Sequence, residues 1–388
     1  MLLVSTELFI TTDFQRRWVN QLTEAGPFFS SFSEQSDELS KFPKENIEKL
    51  VKMGYTTLTL PKELGGAGIT VTDMVLFQET IARFDSATAL AIGWHQGVVG
   101  ELYESRKWTE EQLAQFSEAI QQGALVNRSV TEAQTGSPTR GGRPQTTAVR
   151  TENGWVISGE KTFTTMAPAL THILVSVWIE EKQKTGFFLL PSDTAGLSIR
   201  DTWHMISMRG TESQTLVLNQ VEATDDQLVE VNEAPRGNNQ NGWLLHIPAC
   251  YMGIAQAARD YAVHFAATYQ PNSLNEPIAS LFSIQTQIGK MDLELIKARH
   301  LLYDIARIYD DRARRVHLQN ELGVAKSIVT NSAIEIVNLA MRIVGAKSLE
   351  LSNPLQRYYR DVRAGLHNPP MDDMTITKLA QAAISEQQ

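Results

Sequence analysis

The sequence predicts an α+β protein, mostly helical, in the order helices, sheet, helices. Three observations carry that expectation. Up to about residue 122, apolar residues recur three and four apart. From about residue 125 to 228 the pattern shortens into runs of β-forming residues separated by turn signals. From Trp243 onward, long stretches of helical spacing return. Spacing near 3.6 residues marks a helix with one buried face, and short β-branched or aromatic runs between turn residues mark strands.

A chain of 388 residues exceeds what one core usually holds, so more than one packed unit is expected. The texture changes place the units at 1–122, 123–235 and 236–388. In the first, Glu45–Met53 and Asp73–Phe84 carry helical spacing, and Pro61 to Gly68 is a break between helices. In the second, Thr146–Arg150, Trp155–Ser158, Ile173–Trp178, Gly186–Leu190 and Thr215–Leu218 read as strands. Glu152-Asn153-Gly154 and Thr194-Ala195-Gly196 are turns between them. Helices do not alternate with these strands, which points to a small antiparallel barrel or sandwich and away from a doubly wound nucleotide fold. In the third unit, Ile247–Tyr269, Ile278–Asp311 and Ala325–Val344 read as members of a bundle.

Hydrophobic residues at 42% and charged residues at 20% suit a large buried core. A net charge of −9 with no basic run disfavours a broad nucleic-acid footprint. Cys250 is the only cysteine, which excludes an intrachain disulfide and a thiolate metal cluster and fits a reducing, cytoplasmic setting. Glu7 and Asp13 interrupt the apolar start, and no basic n-region precedes it, so a signal peptide is not expected. No uninterrupted apolar stretch approaches the roughly 18 residues of a membrane span, and no membrane partner is expected. Neither a dinucleotide fingerprint, a phosphate loop nor a His-Glu-x-x-His zinc pair is present. Gly65-Gly66-Ala67-Gly68 reads as an interhelical turn.

Three segments are more specific. Ser129-Val130-Thr131-Glu132-Ala133-Gln134-Thr135-Gly136-Ser137 offers small residues and hydroxyls that let backbone N–H groups approach a planar or anionic ligand. Gly154 to Thr165 reads as a hairpin that would present Phe163 and Thr165 to the same pocket. Pro354 to Arg363 is a dense run of guanidinium and phenol groups. In this order, these segments resemble the acyl-CoA dehydrogenase superfamily. Gly54-Tyr55 through Gly68, Met208-Arg209-Gly210-Thr211-Glu212-Ser213, and Pro277-Ile278-Ala279 with Ile284-Gln285 resemble further motifs of that family. The resemblance spans about residues 40 to 385. It implies a helical domain, a central β-domain, a C-terminal four-helix bundle, a homotetramer, and a flavin (FAD, or the shorter FMN) between β-domain and bundle. Val130, Thr131, Gly136 and Ser137 match the stretch that contacts flavin and substrate, although Ala133-Gln134-Thr135 departs from the family's Pro-Gly-Ala. Phe163 stands where a Trp packs on the isoalloxazine, and Thr165 matches the Thr near flavin N5. Arg342 stands in place of a Gln that precedes a Gly-Gly pair, here Gly345-Ala346. Pro271 falls where the family has a dinucleotide-contacting Arg.

The family's catalytic Glu falls near Pro369, and the second location used by some relatives falls near Trp243. Neither residue is a base. The resemblance implies oxidation of the CH–CH bond of an acyl-CoA or similar thioester, which needs a base to take the α-proton. One branch dispenses with that Glu: the two-component flavin monooxygenases, which use reduced flavin from a reductase partner, and O₂. Arg363-Ala364-Gly365-Leu366-His367-Asn368-Pro369 is similar to their His-containing loop, and His95 is a candidate for the helix-borne His that faces the flavin. Imidazoles move protons near neutral pH. A structural histidine is the competing reading of His95, and a helix cap the competing reading of Asp372 and Asp373. A non-catalytic flavin- or acyl-binding scaffold is the third possibility. Arg312-Ala313-Arg314-Arg315 reads as a solvated helix face.

Overall fold

The computed structural model describes residues 7–135, 142–232 and 241–387. The first helix, α1 (Asp13–Leu39), opens with a reciprocal cap: the Gln15 N–H donates to the Thr12 hydroxyl, and the Thr12 N–H donates to the Gln15 side chain. There follow α2 (Lys44–Lys52), α3 (Val71–Ala82), α4 (Ser86–Ser105) and α5 (Glu110–Gln121). Every residue of α3 except Asp73 is buried, and so is most of α4. Helices covered on all sides lose the polar face that periodicity depends on. Between α2 and α3 the chain turns as expected, with the Gly68 N–H donating to the Leu60 carbonyl at 2.8 Å.

Eight strands follow: β1 (Val126–Ser129), β2 (Thr147–Thr151), β3 (Gly154–Thr164), β4 (His172–Ile179), β5 (Lys184–Pro191), β6 (Leu197–Arg200), β7 (Gln214–Ala223) and β8 (Leu228–Val231). The order is β6-β7-β3-β2-β4-β5-β8, with β1 added beside β4. The sheet departs from the antiparallel expectation at its centre, because β4 runs parallel to both β1 and β2. Hairpin signals reveal β2–β3 and β4–β5, whereas β1 is a four-residue strand that pairs with residues far along the chain. The β3–β7 ladder shifts register between Lys161 and Thr164. That irregularity falls on Phe163, whose φ is 57°.

The C-terminal part holds α6 (His246–Thr268), α7 (Phe282–Asp310), α8 (Glu321–Val344), α9 (Pro354–Asp361) and α10 (Asp372–Ser385). One hydrophobic cluster runs from Phe9 through α3, the sheet and the bundle to Val362, so the three parts share a core. The boundary expected at 235–236 lies outside the described residues. Arg299 of α7, 1% exposed, donates to Glu79 of α3 at 2.9 and 2.5 Å and to Gln256 of α6 at 2.8 Å. The Tyr303 hydroxyl donates to the other Glu79 oxygen at 2.8 Å. The Glu321–Leu349 stretch is long and apolar enough to cross a membrane by length and composition alone. In the fold 56% of its apolar window is buried, as in a bundle core. Cys250 is buried on α6 with its thiol directed at the Ser86 carbonyl, and burial pushes that thiol well above its ordinary pKa.

Candidate active site

The end of β3 and the chain after β1 lie side by side, because the Thr162 N–H donates to the Thr131 carbonyl at 2.8 Å. Val130, half-buried, packs on the cluster beneath β1. Glu132 turns inward and pairs with buried Lys161 at 2.6 Å. The left-handed backbone at Phe163 is uncommon for an aromatic residue and turns its ring out of the sheet. The ring is 54% exposed and stands edge-on to Trp203, with centroids 5.9 Å apart. Trp203 is held in turn by its indole N–H, which donates to the Met208 carbonyl at 3.1 Å.

Two residues on, Thr165 begins a ladder of hydroxyls. Its Oγ1 lies 2.9 Å from Ser213 Oγ, which lies 2.9 Å from Thr211 Oγ1. Thr211 donates to the Met208 carbonyl at 2.9 Å, and the Met208 N–H donates to Asp361 Oδ1 at 2.7 Å. The Ser86 hydroxyl donates to Asp361 Oδ2 at 2.7 Å. One buried carboxylate thus joins the β-domain, the Arg-rich helix α9 and the start of α4. Burial pushes its pKa up to about 6 against these donors. Beside it, the Arg360 guanidinium grips the Asp37 carboxylate of α1 at 2.9 and 2.5 Å.

The Thr162–Thr131 hydrogen bond sets the segment of Val130 and Thr131 beside the end of β3, where Phe163 is exposed and Thr165 buried. Gly136 and Ser137 lie outside the described residues. Arg342 is exposed on the last turn of α8, and Gly345, at φ 70°, ends that helix facing open space. No hydrogen bond or ion pair among the described residues links these two to the Phe163 face. His367 is exposed in the turn after residues 362–366, and only its backbone N–H is bonded, to the Ala364 carbonyl at 3.0 Å. Its neighbour Asn368 accepts from the buried Tyr251 hydroxyl at 2.5 Å, which ties the loop to α6.

His95 has both nitrogens committed. The Val126 N–H approaches Nδ1 at 3.2 Å, so the proton sits on Nε2, which is 3.0 Å from the Thr56 carbonyl. The ring is wholly buried, and burial pushes its pKa down to about 4. It joins the start of β1 to the turn after α2 as a neutral imidazole with no donor or lone pair left over. Asp372 lies in the first turn of α10, accepts from Asn331 Nδ2 at 2.7 Å and faces Lys326 at 3.8 Å.

At the second expected base position, the Trp243 ring fills the notch left by Gly100, where a Cβ would lie 2.3 Å from it. Its indole N–H donates to Glu104 Oε2 at 2.8 Å. The Tyr309 hydroxyl donates to the same oxygen at 2.9 Å, and Arg315 pairs with Oε1. Sequence reading missed Glu104 and took Arg315 for a solvated charge. The partners of Glu104 are more than 100 positions away, so local pattern carries no signal of that cluster.

A flat aromatic face beside a buried hydroxyl and a close-set backbone strand suits a planar ring with a polar edge. That constellation, on a helices–sheet–helices frame, is the candidate site. Family models for the acyl-CoA dehydrogenase N-terminal, middle and C-terminal domains match residues 15–124, 128–221 and 245–368. The chain therefore belongs to the acyl-CoA dehydrogenase superfamily, a family of flavin-dependent oxidoreductases. It is 57% identical to the putative acyl-CoA dehydrogenase YdbM of Bacillus subtilis (strain 168), over 97% of this chain and 99% of that one. It is 29% identical to L-evernosamine nitrososynthase of a Micromonospora species, over 90% and 85% of the two chains. Among solved structures, a nitrososynthase from Micromonospora carbonacea var. africana superposes with a TM-score of 0.83 at 26% identity, covering 96% and 97%.

Proposed function

We propose that this chain is a two-component flavin monooxygenase. In this reading it receives reduced flavin from a separate reductase and oxidises a small molecule with O₂. One observation carries it: no usable carboxylate stands at either place where the dehydrogenase fold keeps its base. Pro369 has nothing to titrate, and Trp243 spends its only polar atom on Glu104. Glu104 itself is taken up by Trp243, Tyr309 and Arg315. Removing a proton α to a thioester needs a positioned base of matched pKa. The likeness to a nitrososynthase supports a reaction other than acyl-CoA dehydrogenation.

When bound, the flavin supplies the redox chemistry. The protein's part follows from its own residues. Phe163 would offer its exposed ring to the flavin, and Thr165, whose hydroxyl is paired with Ser213, would be a hydrogen-bonding residue beside it. Val130 and Thr131 would border the flavin as well, and the resemblance assigns Gly136 and Ser137 to the same ligand. Arg342 and Gly345 would hold the adenylate end if the flavin is FAD, and would be unused by FMN. His367, exposed in the turn after residues 362–366, is the proton-moving group in this reading. His95 plays no part in the chemistry.

Acyl thioester dehydrogenation is the second reading, and the 57% identity to a protein named as a putative acyl-CoA dehydrogenase favours it. It requires an electron-transfer partner and a base from elsewhere. The test is to load the protein with flavin and add a panel of acyl-CoAs without oxygen. No bleaching of the oxidised-flavin absorbance is expected, and bleaching by any of them overturns the first reading in favour of the second. Reduced flavin and O₂ are then supplied with candidate amines, thiols and arenes, and an oxygenated product is expected. No product in either arm leaves a non-catalytic scaffold. His367→Ala should lower product per flavin oxidised by about 10-fold or more. An unchanged yield removes His367 from the mechanism.

A further inference from the structure

Two residues before Phe163, a charged side chain is shut away from water. Lys161 of β3 has no solvent exposure, and Glu132, next in sequence to Thr131, is 4% exposed. The Lys161 ammonium donates to Glu132 Oε1 at 2.6 Å and to the Ser176 hydroxyl of β4 at 3.1 Å. The same Glu132 oxygen accepts the Thr146 hydroxyl at 2.8 Å and the Thr146 N–H at 3.1 Å. Its other oxygen accepts the Gln145 N–H at 2.7 Å and the Thr135 hydroxyl at 3.0 Å. Five donors thus converge on one carboxylate. Burial pushes a carboxyl's pKa up, but these donors, Lys161 foremost, outweigh it and hold Glu132 down at about 2.

The pair ends a row of ties between the chain of β1 and the end of β3. Asn127 Nδ2 donates to the Thr165 carbonyl at 3.1 Å, and Ser129 Oγ lies 2.7 Å from Thr164 Oγ1. The Thr162 N–H donates to the Thr131 carbonyl, and Lys161 then meets Glu132. Phe163 is the residue the row skips. In a regular strand, residues two apart share a face. Yet Lys161 is wholly buried and Phe163 is 54% exposed, and the left-handed φ of 57° at Phe163 makes the difference. Backbone of that kind persists where its surroundings fix it, and here the flanks are tied on both sides. A buried ion pair gains little stability, because removing two charges from water offsets most of their attraction. Its use here is geometric: a carboxylate with five donors accepts few other arrangements.

We propose that Glu132 and Lys161 are positioning residues for the flavin: the pair fixes segment 131–135 against β3 and holds Phe163 in the backbone conformation that exposes its ring. This rests on the flavin lying beside Phe163, and not on which reaction the flavin performs. Neither residue has to touch the cofactor. Without the pair, both segments must be ordered when flavin binds, and affinity falls by that cost.

The test compares Glu132→Gln, Lys161→Met and the double variant with the parent, each as full-length protein titrated with FMN and with FAD. Each single change leaves one buried charge without its partner, whereas the double removes both and keeps side-chain shape. The singles should melt below the parent, and the double should regain much of that loss. Flavin affinity, measured well below every melting temperature, should stay about 10-fold or more weaker in all three. In the double, amide exchange at residues 161–165 of the flavin-free protein should be faster, and the visible circular dichroism of bound flavin weaker at saturation. A double variant that binds flavin as tightly as the parent, with unchanged dichroism, overturns the proposal. If the charge variants do not fold, Thr135→Val removes one donor to Glu132 from a half-buried loop position. It should weaken flavin binding about 5-fold, and unchanged affinity there overturns the proposal as well. Phe163→Ala separates the two failures. If it weakens binding while the double variant does not, the positioning role alone is lost. If Phe163→Ala also binds as the parent does, the flavin lies elsewhere and the proposal falls with the site.

Discussion

His95 bonds two backbone groups, the Val126 N–H and the Thr56 carbonyl. His95→Phe should therefore lower unfolding free energy by roughly 2–5 kcal/mol, read by chemical denaturation. The pH dependence has a definite sign. The folded-state pKa, about 4, lies below the 6.5 of the free side chain, so the unfolded chain takes up the proton first as pH falls. The stability that His95 contributes is whole above about pH 6.5 and is lost as pH falls toward 4. The gap between parent and His95→Phe should narrow over that window, and a gap that widens contradicts the assignment. Phe163 makes the opposite case. Its ring supports little of the fold, so Phe163→Ala should leave the flavin-free protein's stability within about 0.5 kcal/mol. The same change should weaken flavin binding about 10-fold in a fluorescence titration. Phe163 and Thr165 stand out in the sequence because both belong to one continuous segment, Gly154 to Thr165, that carries the family resemblance. The structural duty of His95 does not, because its partners are main-chain atoms on two other segments.

Between elements, the seam joining α3 to α6 and α7 rests on one carboxylate. Glu79 receives Arg299 and Tyr303 with almost no water nearby. Glu79→Ala leaves a guanidinium buried without a counter-charge, at a cost of about 3–5 kcal/mol. Adding Arg299→Met should recover much of that loss in a double-mutant cycle; strictly additive losses would mean that the two side chains do not act as a pair. The long bundle helices and β2 to β5 were readable because each has a buried and a solvated side, or a turn at its end. The helix α4 shows residues buried at nearly every position, which blurs its period. The four-residue strands β1, β6 and β8 take their definition from neighbours supplied by distant chain. The same reason hid the parallel pairing of β4.

At the scale of the whole molecule, three large apolar side chains stand in water on α7: Phe282 at 83%, Leu293 at 63% and Ile296 at 52% exposure. Ile376 on α10 is exposed to 63% as well. Large apolar side chains left exposed suit an association surface, and the sequence resemblance leads to the expectation of an oligomer. Sedimentation of the parent should give a single species larger than the 43.3 kDa chain. Leu293→Glu with Ile296→Glu should shift it toward the monomer without unfolding it, and an unshifted profile places the interface elsewhere. Order of elements and family were plain from the sequence at this scale. The shared core was not, since it depends on α3 meeting α6 and α7 in three dimensions. The lone thiol adds a practical property. Cys250 lies in the core with its ionisation suppressed, so alkylating reagents should find the native protein almost silent. A cysteine introduced on the exposed Phe163 face would then be the one labelled atom, and a fluorophore or spin probe carried there would report on the arrival of a ligand with no background to subtract.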